Sequence, residues 1–307
     1  MGGAGTGTLT LNGGLVIANS SLSRGASGTI NLNSGGTLQI GSGVSDGVRL
    51  GGTGALTNNG TLIFARHTTI YSGILSGSNA VVKQSVVTLT LSGSSSYSGG
   101  TTITGGTLAI GNANALGTGN LTVNGGTLGG SGALGALVTV QSGGVLSPGN
   151  SPGALAAAAL DLQAGSTTLM QVIGSGSSAG VAGTDYDQVR ITTASSLTYG
   201  GNLVLSFIDT PLFANGTMFS LFYFTGTAGG AFNSVMTASG SSSYSGMTFR
   251  YNPNGNWYTP DTSNGQYLAF NPASGRLAVV PEPSTWVMAV IGAGAMALKT
   301  RRRRRAA

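Results

Sequence analysis

The sequence predicts an all-β protein wound as a parallel solenoid, with an aromatic-rich β cap and a short C-terminal transmembrane helix. Three observations carry this expectation. The composition is rich in Gly, Thr, Ser and Asn, apolar residues alternate with polar ones, and one unit recurs about every 20 residues.

Composition comes first. Among 307 residues there are 55 glycines and only 7% charged residues, which excludes a helical bundle. Gly, Asn and Ser punctuate turns, while Thr, Val and Ile suit a pleated, half-buried surface, so many short strands are expected. Disorder is the rival. It is opposed by 40% hydrophobic residues placed at regular intervals.

The net charge of +6 invites a nucleic-acid reading until the bases are located. Lys299 and Arg301 to Arg305 account for all of it. The remaining seven (Arg24, Arg49, Arg66, Lys83, Arg190, Arg250, Arg276) face seven acids, so the body is neutral and no nucleic-acid partner is expected. Cysteine is absent, which removes disulfides, thiolate metal sites and a Cys nucleophile.

The repeat pairs a polar/apolar alternation with an Asn/Ser-Gly-Gly corner and a second alternation. It runs as Thr8-Leu-Thr-Leu-Asn-Gly-Gly14, Thr29-Ile-Asn-Leu-Asn-Ser-Gly-Gly-Thr-Leu-Gln-Ile40, Thr101-Thr-Ile-Thr-Gly-Gly-Thr-Leu-Ala-Ile110, Asn120-Leu-Thr-Val-Asn-Gly-Gly-Thr-Leu128 and Val138-Thr-Val-Gln-Ser-Gly-Gly-Val-Leu146, with a degenerate copy at Leu56 to Ile63. The corner glycines Gly14, Gly36, Gly60, Gly106, Gly126 and Gly144 are 22, 24, 46, 20 and 18 residues apart, the 46 reading as two steps. That period suits coils stacked about 4.8 Å apart. A single coil is too thin to bury its own apolar stripe, so stacking creates the core. Glycine at the corners tolerates positive φ and close approach, and Asn there can form side-chain ladders.

Leu75-Ser-Gly-Ser-Asn-Ala-Val-Val-Lys83, Thr88-Leu-Thr-Leu-Ser-Gly93, Tyr97-Ser-Gly-Gly-Thr-Thr-Ile103 and Gly106-Thr-Leu108 resemble the passenger-associated repeat of autotransporters. Leu146-Ser-Pro-Gly-Asn-Ser-Pro-Gly153 and Asp185-Tyr-Asp-Gln-Val189 resemble other passenger segments. The likeness covers roughly Leu75 to Phe207 and departs at Ala80-Val81 and Ser85-Val86-Val87, where passengers carry a Gly-Leu pair and a Gly-rich turn. It implies a right-handed parallel β-helix. No train of alternating ten-residue segments suited to a translocator barrel follows, so the body is expected to travel another way.

From Tyr186 onward aromatics become dense, including Phe207, Phe213, Phe219, Phe222, Phe232, Phe249, Trp257, Tyr258, Tyr267 and Phe270. A solenoid needs a cap over its last coil, and residues 209–280 are read as that cap with a buried aromatic core. The rival is an aromatic sugar-binding surface.

The tail has three parts: Val280-Pro-Glu-Pro-Ser284, an apolar run from Trp286 to Leu298, and Lys299-Thr-Arg-Arg-Arg-Arg-Arg305. As a helix the run is about 20 Å long against a bilayer core of about 30 Å. Ser284, Thr285 and Thr300 extend it, Lys299 snorkels, and the arginines match a positive-inside end, which puts the body outside the cytoplasm. This tail resembles the PEP-CTERM sorting signal. The resemblance implies recognition by an exosortase-type protease, with Pro281, Glu282 and Pro283 as the motif and Arg301, Arg302, Arg303, Arg304 and Arg305 as the basic stop-transfer end. The prolines would hold the motif extended and Glu282 would offer a lone charge. A passive anchor is the simpler alternative.

Three regions follow: residues 1–208 as β-helix repeats, 209–280 as the cap and 281–307 as the sorting signal. Met1-Gly2-Gly3-Ala4-Gly5 lacks a secretory leader while strand pattern begins at Thr8, so an upstream piece is expected.

Catalytic patterns are sparse, and no catalytic residue, metal ligand or cofactor is assigned. His67, the sole histidine, sits beside Arg66 as a solvated strand residue, and no nucleophile elbow accompanies it. Gly130-Ser-Gly-Ala-Leu-Gly135 fits a dinucleotide fingerprint without the βαβ unit that it needs. Asp185 and Asp187 would share one strand face about 7 Å apart, but catalytic carboxylates stand opposed across a cleft. Passengers carry a similar Asp-Tyr-Asp, which implies a turn or ion site. Asp46, Asp161, Asp209 and Asp261 are scattered.

The expectation is a non-enzymatic exported surface or matrix protein, anchored transiently in the inner membrane through Trp286 to Leu298 and then placed on the outer surface or secreted by a Gram-negative-type bacterium. Its role would be adhesion, biofilm or exopolysaccharide association. The alternative is a carbohydrate-active β-helix enzyme or sugar-binding module delivered by the same signal.

Overall fold

Alternating Thr/Leu and Thr/Ile segments put one row of side chains inward and one outward, and the only partner able to cover the inward row is the next coil. The computed structural model describes residues 7–19, 22–23, 28–42, 50–51, 54–65, 70–149, 152–174, 179–208, 212–240, 242–259 and 265–281. Among them are many short strands and no α-helix.

The coil has three sides. Thr8–Leu11, Thr29–Leu32, Leu56–Asn58 and Leu75–Ser76 stack as the first. The second begins with Gly14–Ala18 and Gly36–Ile40, continues through Thr61–Phe64, Val81–Lys83, Thr101–Ile103 and Leu121–Val123, and reaches Ala154–Leu162. The third runs from Ile70–Tyr71 and Thr88–Leu91 to Asn202–Phe207 and Ser234–Thr237. Pairing along all three is parallel and keeps like residues in columns, as in Leu108 beside Leu128 and Leu128 beside Leu146. The expected parallel solenoid is therefore present.

The glycine corners carry a finer message. Gly14, Gly36 and Gly60 stack at the entry to the second side, whereas Gly106, Gly126 and Gly144 stack at the entry to the third. The 46-residue interval crosses two coils and also moves the corner to the next side of the coil. Both corners need a missing side chain: a Cβ on Gly60 would lie 2.2 Å from the Gly36 carbonyl oxygen, and Gly126 has φ +69° with the Gly106 oxygen 2.4 Å from its Cβ position. Asn residues tie the coils together as expected. Asn33 donates to Asn12 Oδ1 at 2.7 Å, and buried Asn58 donates to the Ala80 carbonyl at 2.9 Å.

Coil length then changes. Val81 pairs with Thr101, 20 residues on, but Leu160 pairs with Leu197, 37 residues on, and Asn202 with Ser234, 32 residues on. The added chain enters at residues 173–187 and again between 208 and 221. The first addition doubles back, with Val172 bridging Tyr186 in antiparallel sense, and large aromatic side chains pack the interior at this end. Tyr199 meets Phe232 and Phe222 with centroids 4.8 and 5.2 Å apart, and Phe213 meets Phe219 at 4.9 Å.

Over this end lies an antiparallel sheet in the order Met218–Ser220, Arg276–Pro281, Gln266–Asn271, Trp257–Tyr258, Arg250–Tyr251. Its inner face buries Phe219, Leu268, Phe270, Leu277 and Val279. Parallel pairing extends past residue 208 through Phe222–Tyr223, Ala228–Gly230 and Ser234–Thr237, so solenoid and cap interleave instead of meeting at one residue. No helix among the described residues is long and apolar enough to cross a membrane, and the expected span from Trp286 to Leu298 lies outside them.

If backbone approach sets the corners, Gly60→Ala destabilises by about 1–3 kcal/mol through overpacking. Gly135→Ala, where a Cβ meets nothing within 4 Å, leaves the melting temperature unchanged or slightly raised. Thermal unfolding of the two variants checks this.

Candidate functional site

The sequence-predicted motif begins where the fold ends. Pro281 is the last residue of Arg276–Pro281, a strand bonded to a neighbour on each side, and it pairs with Gln266. Two residues earlier the chain is firmly held: the Val279 N–H donates to Thr217 O at 2.9 Å, its carbonyl accepts from Gly216 N–H at 2.8 Å, and its side chain is buried. Glu282, Pro283 and Arg301 to Arg305 lie outside the described residues, as do His67, Asp46, Asp209 and Asp261.

The aspartate pair does not share a strand face. The chain turns at 183–185 and the strand starts only at Gln188, so the two carboxyls take separate backbone tasks. Asp185 Oδ2 accepts from Val181 N–H at 2.6 Å, closing the turn. Asp187 is fully buried and accepts from Gly153 N–H and Gln171 N–H, each at 2.7 Å, joining two neighbouring segments. Burial pushes its carboxyl up to about 6, against the pull of those two donors. Among the described residues no three His, Cys, Asp or Glu side chains converge as a metal site.

Lys83 was not singled out by sequence reasoning, yet it is the one charged residue inside the apolar column of the second side, between Phe64 and Ile103. Its ammonium donates to Ser85 O at 2.7 Å, Ser85 Oγ at 2.9 Å and Gly105 O at 3.1 Å, so three oxygens satisfy its three hydrogens. Lys83 thereby fastens the turn after its own coil to the next. Desolvation lowers it to about 8.

The outer face of the cap sheet holds an open groove of about 790 Å³. Its floor is the pair Ala269 and Ala278, side by side on the two long strands, with Met218 beyond one and Tyr258 beyond the other. Tyr267 stands at one end, Arg276 and Asn271 at the other. The sequence holds a signal for this face, because Tyr267, Ala269 and Asn271 alternate with buried Leu268 and Phe270. The buried aromatic core expected of the cap is found on the inner face, and Tyr258 and Tyr267 lie on the outer one.

A β-solenoid body leading directly into a surface-sorting tail defines the class. Residues 83–110 match the passenger-associated-transport-repeat, a stretch that runs from Lys83 through Thr88–Leu91 and Thr101–Ile103 to Thr107–Ile110, more than one full coil. Residues 279–305 match the PEP-CTERM protein-sorting motif, so the last cap strand overlaps the signal. No curated protein and no solved structure matches the chain.

Lys83 loses its proton near pH 8 in the fold but near 10.5 when unfolded. Between these values the folded chain binds fewer protons, so its stability rises with pH across that window and the burial penalty is fully present below pH 8. In denaturant titrations at pH 7.5 and 10, the native chain should gain on the order of 2 kcal/mol relative to Lys83→Met.

Proposed function

We propose that this chain is a non-enzymatic exported surface or matrix protein, whose solenoid is delivered by exosortase-type recognition and cleavage at its C-terminal signal. The carrying observation is the PEP-CTERM motif at residues 279–305, joined without a spacer to the cap. In this reading Trp286 to Leu298 holds the chain in the membrane until processing, Arg301 to Arg305 keep the end inside, and the body is released outward.

The absence of an assigned reaction rests on chemistry, not on the fold. Asp187 spends both oxygens and Asp185 one on backbone N–H groups, and the interior of the solenoid is filled by stacked side chains. What a neutral, repetitive body offers is length and surface, which suits adhesion or a place in an exopolysaccharide layer. The sugar-binding alternative draws support from the groove over Ala269 and Ala278.

The cap also limits where a protease can cut. Severing the chain before Val279 would remove half of an interior strand, with its pairing to Gln266, Tyr267 and Leu268 and its bonds to Gly216 and Thr217, whereas a cut beyond Pro281 leaves every described pairing intact. Intact-mass analysis of the mature surface form should give a chain that retains Val279, ends at or beyond Pro281 and lacks Trp286 to Leu298. Replacing Pro281, Glu282 and Pro283 by alanine should leave the tail attached. Recovery of the Trp286 to Leu298 segment on the mature native form refutes the proposal.

A further inference from the structure

We propose that the groove on the outer face of the cap sheet binds an acidic saccharide, with Arg276 taking a carboxylate and Tyr258 and Tyr267 taking ring faces. The site depends on the surface-protein reading only for its setting, since the groove belongs to the folded cap.

Among the described residues the groove is rich in donors and has no acid on its walls. Among the described residues Arg276 is the one charged residue of the lining, and its guanidinium has no ion-pair or hydrogen-bond partner. Asn252 Oδ1 accepts from Asn254 N–H at 3.1 Å and Asn256 N–H at 3.0 Å, and Asn271 Oδ1 accepts from Ser274 N–H at 3.1 Å. These bonds fix both amides by their oxygens and leave the NH₂ groups unclaimed among the described residues. The Tyr258 and Tyr267 hydroxyls likewise have no partner among them. A ligand that answers these groups carries many hydroxyl acceptors and an isolated negative charge.

The shape narrows the class. A floor of two alanines, with Tyr258 on one side, Met218 on the other and Tyr267 at one end, admits a ring whose C–H bonds can meet the negative face of a tyrosine. The volume falls within the range of small-molecule sites, about 300–1,000 Å³. A peptide added as a strand is disfavoured, because Gln266–Asn271 and Arg276–Pro281 are each bonded on both sides and offer no free edge under the groove. A nucleic acid needs a row of cations for its phosphates, and the groove has one.

The test is calorimetry on the full chain in mild detergent, titrated with trisaccharides of galacturonate, glucuronate and mannuronate and with their methyl esters. At least one acid should bind saturably at one per chain, and its neutral ester about tenfold more weakly. Arg276→Gln should weaken the acid by about tenfold and leave the ester and the melting temperature unchanged. Ala278→Phe, which fills the floor, should abolish both. Saturable binding of no trisaccharide, equal binding of acid and ester, unaltered binding by Arg276→Gln, or equally tight binding of a tri-aspartate peptide would overturn the assignment. Tail processing scored in cells for Arg276→Gln keeps the two readings apart: normal processing with lost binding supports the groove, and unprocessed native chain with intact binding defeats only the sorting proposal.

Discussion

Every feature of this protein depends on one constraint: no coil can bury its own inward row, so each must hand its backbone hydrogen bonds and its apolar side chains to the next. In-register pairing does both at once. The column Ile40, Phe64, Lys83, Ile103, Val123, Val140 shows the rule and its one exception. A cation placed there is tolerable only because Ser85 and Gly105 surround it with oxygens, which turns a packing fault into a cross-link between coils.

The same constraint explains how the molecule ends. Continued stacking of coils would expose a strand edge and an apolar row, and the chain avoids this by packing its last coils with aromatic rings and laying an antiparallel sheet over them. The cap sheet then has an inner face spent on burial and an outer face free for a ligand. One of its two long strands also ends at Pro281, so the structure that closes the solenoid is the one that leads into the sorting motif.

Much of this was legible in the sequence. The repeat, the parallel stacking, the Asn ties and the tail follow from local patterns, namely alternation, Gly-Gly corners and a Pro-Glu-Pro element ahead of an apolar run. What escaped were properties of the cross-section. Alternation does not say which side of a coil a strand occupies, so the shift of glycine corners between Gly60 and Gly106 looked like a skipped step. The longer interval between paired strands hid in residues 173–187, where the turn implied by the passenger resemblance falls to Asp185 while Asp187 is buried against two backbone N–H groups. Lys83 sits where the pattern demands an apolar residue, and only three-dimensional stacking places oxygens around its amine. The groove was half legible, because strand parity separates Tyr267 from Leu268 and Phe270 without indicating that Ala269 would lie beside Ala278.

The most direct test of in-register stacking uses the absence of cysteine to place spin labels freely. Val82, Thr102, Thr122, Thr139 and Asp161 form one outward column through five successive coils. Label pairs anchored at position 82 should show electron–electron distances that grow by about 4.8 Å per coil, reaching about 19 Å at position 161. Distances well above about 4.8 Å per coil, or that fail to increase in order along the column, would contradict the solenoid on which the rest of the account stands.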